Sequence, residues 1–170
     1  LPLLSDDFNG VKGFIPQFKG GVMANTEINR DAVLSVLNAI LEAELAGVVR
    51  YTHYALMVFG YNRIPIVSWM RAQATESLAH ANQAGEMITH LGGHPSLDIG
   101  PLLETHRHDI GDILCESLEH ETQALAEYHR LLDLVNGRNV LLEEYARRMC
   151  ALEETHLGEV RKMLLKPGDL

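Results

Sequence analysis

Four long helical stretches run through this sequence, and the apolar seam of each is broken near its middle by an acid. No other feature constrains the fold as strongly, because a carboxylate brought to a helix seam must find a counter-charge there. Core-facing positions on packed helices recur alternately three and four residues apart. From Asn29 onward that period predicts helices over about 30–59, 65–91, 109–135 and 139–164. The first seam reads Val33, Leu37, Ile40, Glu44, Gly47, Tyr51, Tyr54, Val58. The second reads Trp69, Gln73, Glu76, His80, Gln83, Met87, Leu91. The third reads Leu114, Leu118, Glu121, Leu125, Tyr128, Leu132, Val135. The fourth reads Leu142, Ala146, Met149, Glu153, His156, Val160, Met163.

The punctuation fits an all-α four-helix bundle. Asn29 is a predicted N-cap with Asp31 in the first turn. Gly60 ends the first helix, Pro65 opens the second, and "LGGHP" stops it. The first and second helices, and the third and fourth, are joined by short links and pair as antiparallel hairpins. A long crossover, "GGHPSLDIGPLLETHRHD", joins the two hairpins. Residues 29–170 form the bundle in this reading. Residues 1–28, rich in Gly and Pro, form an extended N-terminal arm.

Four carboxylates meeting at one level repel each other, and an unpaired buried carboxylate changes its protonation or costs several kcal/mol. One or two metal cations supply the missing charge. The candidate ligands are Glu44, Glu76, His80, Glu121, Glu153 and His156, a set suited to iron or manganese, with zinc as a further occupant. Taken alone, the Glu153/His156 pair reads more readily as a solvated helix face than as a ligand pair; the four seams together favour metal. Glu119 competes with Glu121, which is preferred because it lies on the Leu114–Leu118–Leu125 row. "ETHRHD", at 104–109, reads as a solvated loop, and His90, His94 and His129 as surface or capping residues.

The net charge of −9 argues against a nucleic-acid partner. Two cysteines, Cys115 and Cys150, make no disulfide framework and fit a reducing, cytoplasmic setting. No apolar run reads as a membrane span and no signal-peptide pattern opens the sequence, so no membrane association is expected.

Three segments carry a family resemblance. "NAILEAELAGVVRYTHYA", "SLAHANQAGEMITHLGGHPSL" and "ALEETHLGEV" resemble the first, second and fourth helices of the ferritin-like superfamily, most closely bacterioferritin. The resemblance covers about residues 30–164. It implies a di-iron centre of one Glu from each of two helices plus a Glu-x-x-His pair from each of the other two. It also implies that Glu44 and Glu153 are terminal ligands, that Glu76 and Glu121 bridge, and that His80 and His156 bind one iron each. Tyr51, seven residues after Glu44, is either core or a catalytic side chain that bonds to a ligand or passes electrons.

Three departures stand out. The position three before His80 is Ser77, so Glu76 fills the ligand role only at a spacing of four or through a π-bulge. Leu78 stands where the haem-ligating Met of bacterioferritins lies, so no haem is expected. The fifth short helix of the family is not found before Leu170, and the long arm is a feature shared with Dps proteins.

The implied activity is a ferroxidase that oxidises Fe(II) to Fe(III) with oxygen or peroxide, for iron storage or detoxification. The implied assembly is a homo-oligomeric cage of twelve or twenty-four chains, with a dimer as the fallback. A rubrerythrin- or Mn-catalase-like consumer of peroxide is the rival enzyme, and a non-catalytic helical assembly subunit is the rival without chemistry.

Overall fold

The structure is a computed structural model that describes residues 28–103 and 105–169. Apart from Ile28, the expected arm and its role in assembly lie outside these residues. The described residues form four α-helices and no strand: α1 (Arg30–Met57), α2 (Arg63–His90), α3 (Ile110–Val135) and α4 (Val140–Leu164). The expected four-helix bundle is what the chain adopts, with helix ends within about two residues of those read from the period.

Local chemistry sets the boundaries. The side chain of Asn29 accepts from the Ala32 amide, that of Asp109 from Gly111, and that of Asn139 from Leu142, so three helices start on a side-chain cap. Gly137 turns the α3–α4 link at φ +69°, a conformation that disfavours residues with a Cβ. α1 packs on α2, α3 packs on α4, and α1 also packs on α3. The crossover is tied down along α1. Arg30 donates to the Leu91 and Gly92 carbonyls, the Ser96 amide donates to Asn38, and the Gly100 amide donates to the Glu42 carbonyl.

The apolar core has two parts. One is built on Val33, Leu37, Ile40, Ile88, Leu131, Leu142 and Met149, the other on Tyr51, Tyr54, Val58, Met70 and Ile113. Glu44, His80, Glu121 and Glu153 are buried as well.

Two sequence expectations need correction. By length and composition α1 is apolar enough to cross a bilayer, contrary to the reading that no stretch is. In the bundle it packs on α2 and α3, and it buries Glu44 and Arg50 against partners on other helices. The seam of α2 is also different. Its buried residues are Val67, Met70, Gln73, Ser77, His80, Ala81, Ala84 and Ile88, so Ser77 faces inward and Glu76 is exposed. The α-helix is continuous through this stretch, with no π-bulge to shift the register.

Candidate metal centre

Five of the six candidate ligands converge. Glu44, His80 and Glu153 form one group, and Glu121, Glu153 and His156 form another; in each group one ligand atom per residue lies within 4.8 Å of the others. His80 Nδ1 is 3.0 Å from Glu153 Oε1 and 3.4 Å from Glu44 Oε1. His156 Nδ1 is 3.8 Å from Glu121 Oε2 and 3.9 Å from Glu153 Oε2. Every helix of the bundle contributes, and the helical period accounts for the convergence. Three residues separate Glu153 from His156, which places both on one face of α4.

Glu153 is the shared residue. Its two oxygens face the two histidines separately, Oε1 toward His80 and Oε2 toward His156. The sequence reading assigns the bridging role to Glu121 and a terminal one to Glu153; here it is Glu153 that faces both histidines. Glu121 faces only His156, because its other oxygen is taken by Tyr51. Glu76 belongs to neither group. Its Oε1 lies 3.9 Å from His80 Nε2 and its side chain is 46% exposed. Glu119 is exposed on α3, whereas Glu121 is buried.

Two tyrosines fix the terminal carboxylates. Tyr51 donates to Glu121 Oε1 at 2.5 Å, and Tyr128 donates to Glu44 Oε1 at 2.7 Å. Tyr128 lies on the third seam, but no spacing rule reveals that it reaches across to α1. The His156 ring is held by packing, with Trp69 at 6.1 Å and Tyr51 at 6.4 Å between ring centroids.

The electrostatics reflect a surplus of acid. Burial pushes the Glu44 carboxyl up, and burial together with the Glu153 charge raises Glu121. Glu153 moves the other way. Burial disfavours its charge, but the neighbouring imidazoles of His156 and His80 outweigh that and hold it below the usual carboxylate range. Burial also opposes a charge on His80, yet Glu153 and Glu44 push its pKa up to about 10. A proton on His80 Nδ1 faces both carboxylates, on the atom that a metal ion would take instead.

Ser77 sits where α2, by analogy with Glu153 on α4, would carry the partner of His80. The helices are close here. A Cβ added to Gly47 would lie 2.7 Å from Ser77 Oγ and 3.3 Å from His120 Nε2. His120 is a buried histidine that the seam reading missed. Burial and the nearby Arg50 lower its pKa to about 4, so it stays neutral.

A second buried polar cluster lies toward the crossover. Arg50 donates to Tyr54 Oη and to the Glu116 carbonyl, each at 2.9 Å. Tyr54 donates to Glu116 Oε2 at 2.6 Å, and the Thr105 amide and hydroxyl donate to Glu116 Oε1. Sequence reading missed this cluster as well, since Arg50 and Glu116 lie off the rows chosen as seams.

The donor set fits a pair of divalent ions. Each group offers two carboxylates and one imidazole, the mixed oxygen–nitrogen chemistry of iron, manganese and zinc sites.

Comparison with known proteins gives the same architecture. A family model described as a ferritin-like domain matches residues 34–166. A ferritin-like, diiron-carboxylate protein from Bacillus anthracis str. Ames superposes with a TM-score of 0.75 at 23% identity, covering 80% of this chain and 97% of that one. A dodecameric thioferritin from Bacteroides fragilis, described as bacterioferritin-related, gives 0.75 at 23%, covering 81% and 86%. Rhodobacter capsulatus bacterioferritin, described with a metal-free dinuclear site and haem iron, gives 0.72 at 20%, covering 79% and 84%. No curated protein matches this chain.

Proposed function

We propose that this chain, which belongs to the ferritin-like family, is a ferroxidase that takes Fe(II) as substrate at the paired histidine–carboxylate groups. The observation that carries this reading is Glu153, one buried carboxylate facing two histidines with its two oxygens. Glu44 and His80 hold one ion, Glu121 and His156 hold the other, and Glu153 joins them. Manganese and zinc are the competing occupants of the same donors.

Each Fe(II) gives up one electron, so the pair supplies the two that reduce oxygen with two protons to hydrogen peroxide, or peroxide with two protons to two waters. The chain's own residues prepare for this step. His80 Nδ1 faces two carboxylates, so its proton leaves as the ion arrives. Tyr51 and Tyr128 keep Glu121 and Glu44 aimed, and a carboxylate-rich set favours the more highly charged ferric product. Removal of ferric iron for storage or detoxification, inside a homo-oligomeric cage, completes the proposal. The dodecameric relative supports it at the level of fold. A cytoplasmic setting belongs to the same proposal, on the free thiols of Cys115 and Cys150.

The test is anaerobic addition of Fe(II), then oxygen, with near-ultraviolet absorbance and particle mass followed on one sample. The expected result is uptake of about two Fe(II) per chain, rapid ferric absorbance on oxygen exposure, and a shell of a dozen or more chains. A sample that takes up no Fe(II) at the centre would overturn the reading.

A further inference from the structure

We propose that a cavity between α1 and the crossover binds a small organic monocarboxylate, its head on Arg50 and its apolar body against Val49, Leu102 and Leu103. The inference stands apart from the dimetal reading, since none of these residues belongs to either ligand group.

The starting point is an unused donor. Arg50 lies in the second half of α1 and is only 4% exposed. Its Nη2 donates to Tyr54 Oη and to the Glu116 carbonyl. Its Nη1 is buried and has no hydrogen-bond partner among the described residues. A guanidinium keeps its charge throughout the pH range of a folded protein. Leaving a donor of a buried cation unpaired is costly. Both acceptors of Nη2 are neutral groups, and the Glu116 carboxylate accepts from Thr105 and Tyr54 instead. An anionic acceptor at Nη1 would therefore gain a charge-assisted hydrogen bond that the described residues do not supply.

The second observation is space beside that residue. A cavity of about 220 Å³ is lined by Val49, Arg50, His53, Tyr54, Leu102 and Leu103. An apolar cavity of about 150 Å³ admits benzene, so this one has room for a six-carbon ring with a carboxylate attached. Val49 and Leu102 are 40% and 51% exposed, which leaves a mouth open to solvent.

Charge and shape together select the ligand. An inorganic anion would shed its water against Val49, Leu102 and Leu103 and gain little from them. A neutral apolar molecule would fill the space but leave the Arg50 donor unpaired. A dianion would bring a second charge close to the Glu116 carboxylate. A monocarboxylate with a compact apolar body meets both demands, with apolar walls for the body and one placed charge for the head. Once bound, it bridges α1 and the crossover, beside the tie that Thr105 already makes to Glu116.

The experiment is calorimetric titration of the full chain with benzoate, with benzyl alcohol (the same body without the charge) and with acetate (the charge without the body). It is run on the wild type, Leu102→Asp and Arg50→Met. The wild type is expected to bind one benzoate per chain, and to bind benzyl alcohol and acetate at least about tenfold more weakly. Leu102→Asp places a like charge at the mouth and should weaken benzoate at least about tenfold. Leu102 is half exposed, so that substitution leaves the packed core untouched, and circular dichroism checks the helices. Arg50→Met should erase the preference for benzoate over benzyl alcohol; if its fold fails, Leu102→Asp decides alone. A wild type that binds no benzoate, or binds benzyl alcohol equally well, overturns the proposal. So does a Leu102→Asp protein that binds benzoate like the wild type, because the ligand then sits elsewhere.

Discussion

Two buried acid clusters lie a few turns apart in this bundle, and they are resolved in opposite ways. Around Glu116 the carboxylate is held by neutral donors: Thr105 and Tyr54 donate to it, and Arg50 braces both Tyr54 and the Glu116 carbonyl while its Nη1 finds no hydrogen-bond partner among the described residues. Around Glu153, three carboxylates share two imidazoles, and a protonated His80 acts as the cation. The first cluster satisfies its carboxylate and ties the crossover to α1 and α3. The second is in order only while a proton, or something more highly charged, sits among the acids. A carboxylate satisfied by neutral donors serves the fold, and a crowd of carboxylates around imidazoles marks the candidate site.

That contrast can be broken most sharply at Glu153. Glu153→Leu should lower the rate of iron oxidation by at least about a hundredfold, since it removes the shared ligand from both groups. Its metal-free form should also be less stable than the wild type, because His80 and His156 lose the carboxylate whose charge they hold. Stopped-flow absorbance and urea melts on one preparation test both halves. A Glu153→Leu protein that oxidises iron normally would place the chemistry elsewhere.

The converse substitution is Arg50→Met. It removes the donor bracing Tyr54 and Glu116, and should destabilise the chain by about 3 kcal/mol. Ion uptake at the centre should persist in buffer without urea. Chemical denaturation and Co(II) titration together check this. If uptake disappears while the fold holds, the two clusters are coupled and the contrast fails.

The smallest expected effect is pH-dependent. Burial raises the Glu116 pKa, but hydrogen bonds from Thr105 and Tyr54 overcome this and leave it below the ordinary carboxylate value. A carboxyl lowered on folding stabilises the native state above its unfolded pKa, and that contribution is lost as pH falls through the folded pKa. Glu116→Gln should therefore be less stable than the wild type at neutral pH, with the gap narrowing on acidification below the ordinary carboxylate range. Melts at several pH values would show it, and a gap that widened in acid would assign the stabilisation to some other group.

The same contrast explains what the sequence revealed. Helix existence, the hairpin pairing and the long crossover follow from periodicity and caps, because those signals are local. Glu44, Glu121 and Glu153 stand out because each interrupts an apolar row. The α2 register misled for the same reason. The period allows a step of three or four after Gln73, and an acid at Glu76 drew the reading away from Ser77, the residue the helix actually buries. Arg50, Glu116 and His120 were missed because a buried polar residue beside a seam looks like any solvated one until its partners on other helices are known. Tyr128 was placed in the core, but its bond to Glu44 spans 84 residues of sequence, a separation no local pattern encodes.

Gly47 has a further consequence. The spacing of α1 from α2 and α3 at the level of the centre is set by a side chain that is not there. Even a methyl group would press on Ser77 and His120, the latter too bulky to yield easily. Glu44 lies three residues away on α1, and His80 faces it from α2. Any wedge at Gly47 therefore pries these two ligands apart, much as a shim opens a pair of jaws. The gap that decides which ion is gripped, and how firmly, is gauged at a position that never touches the ion.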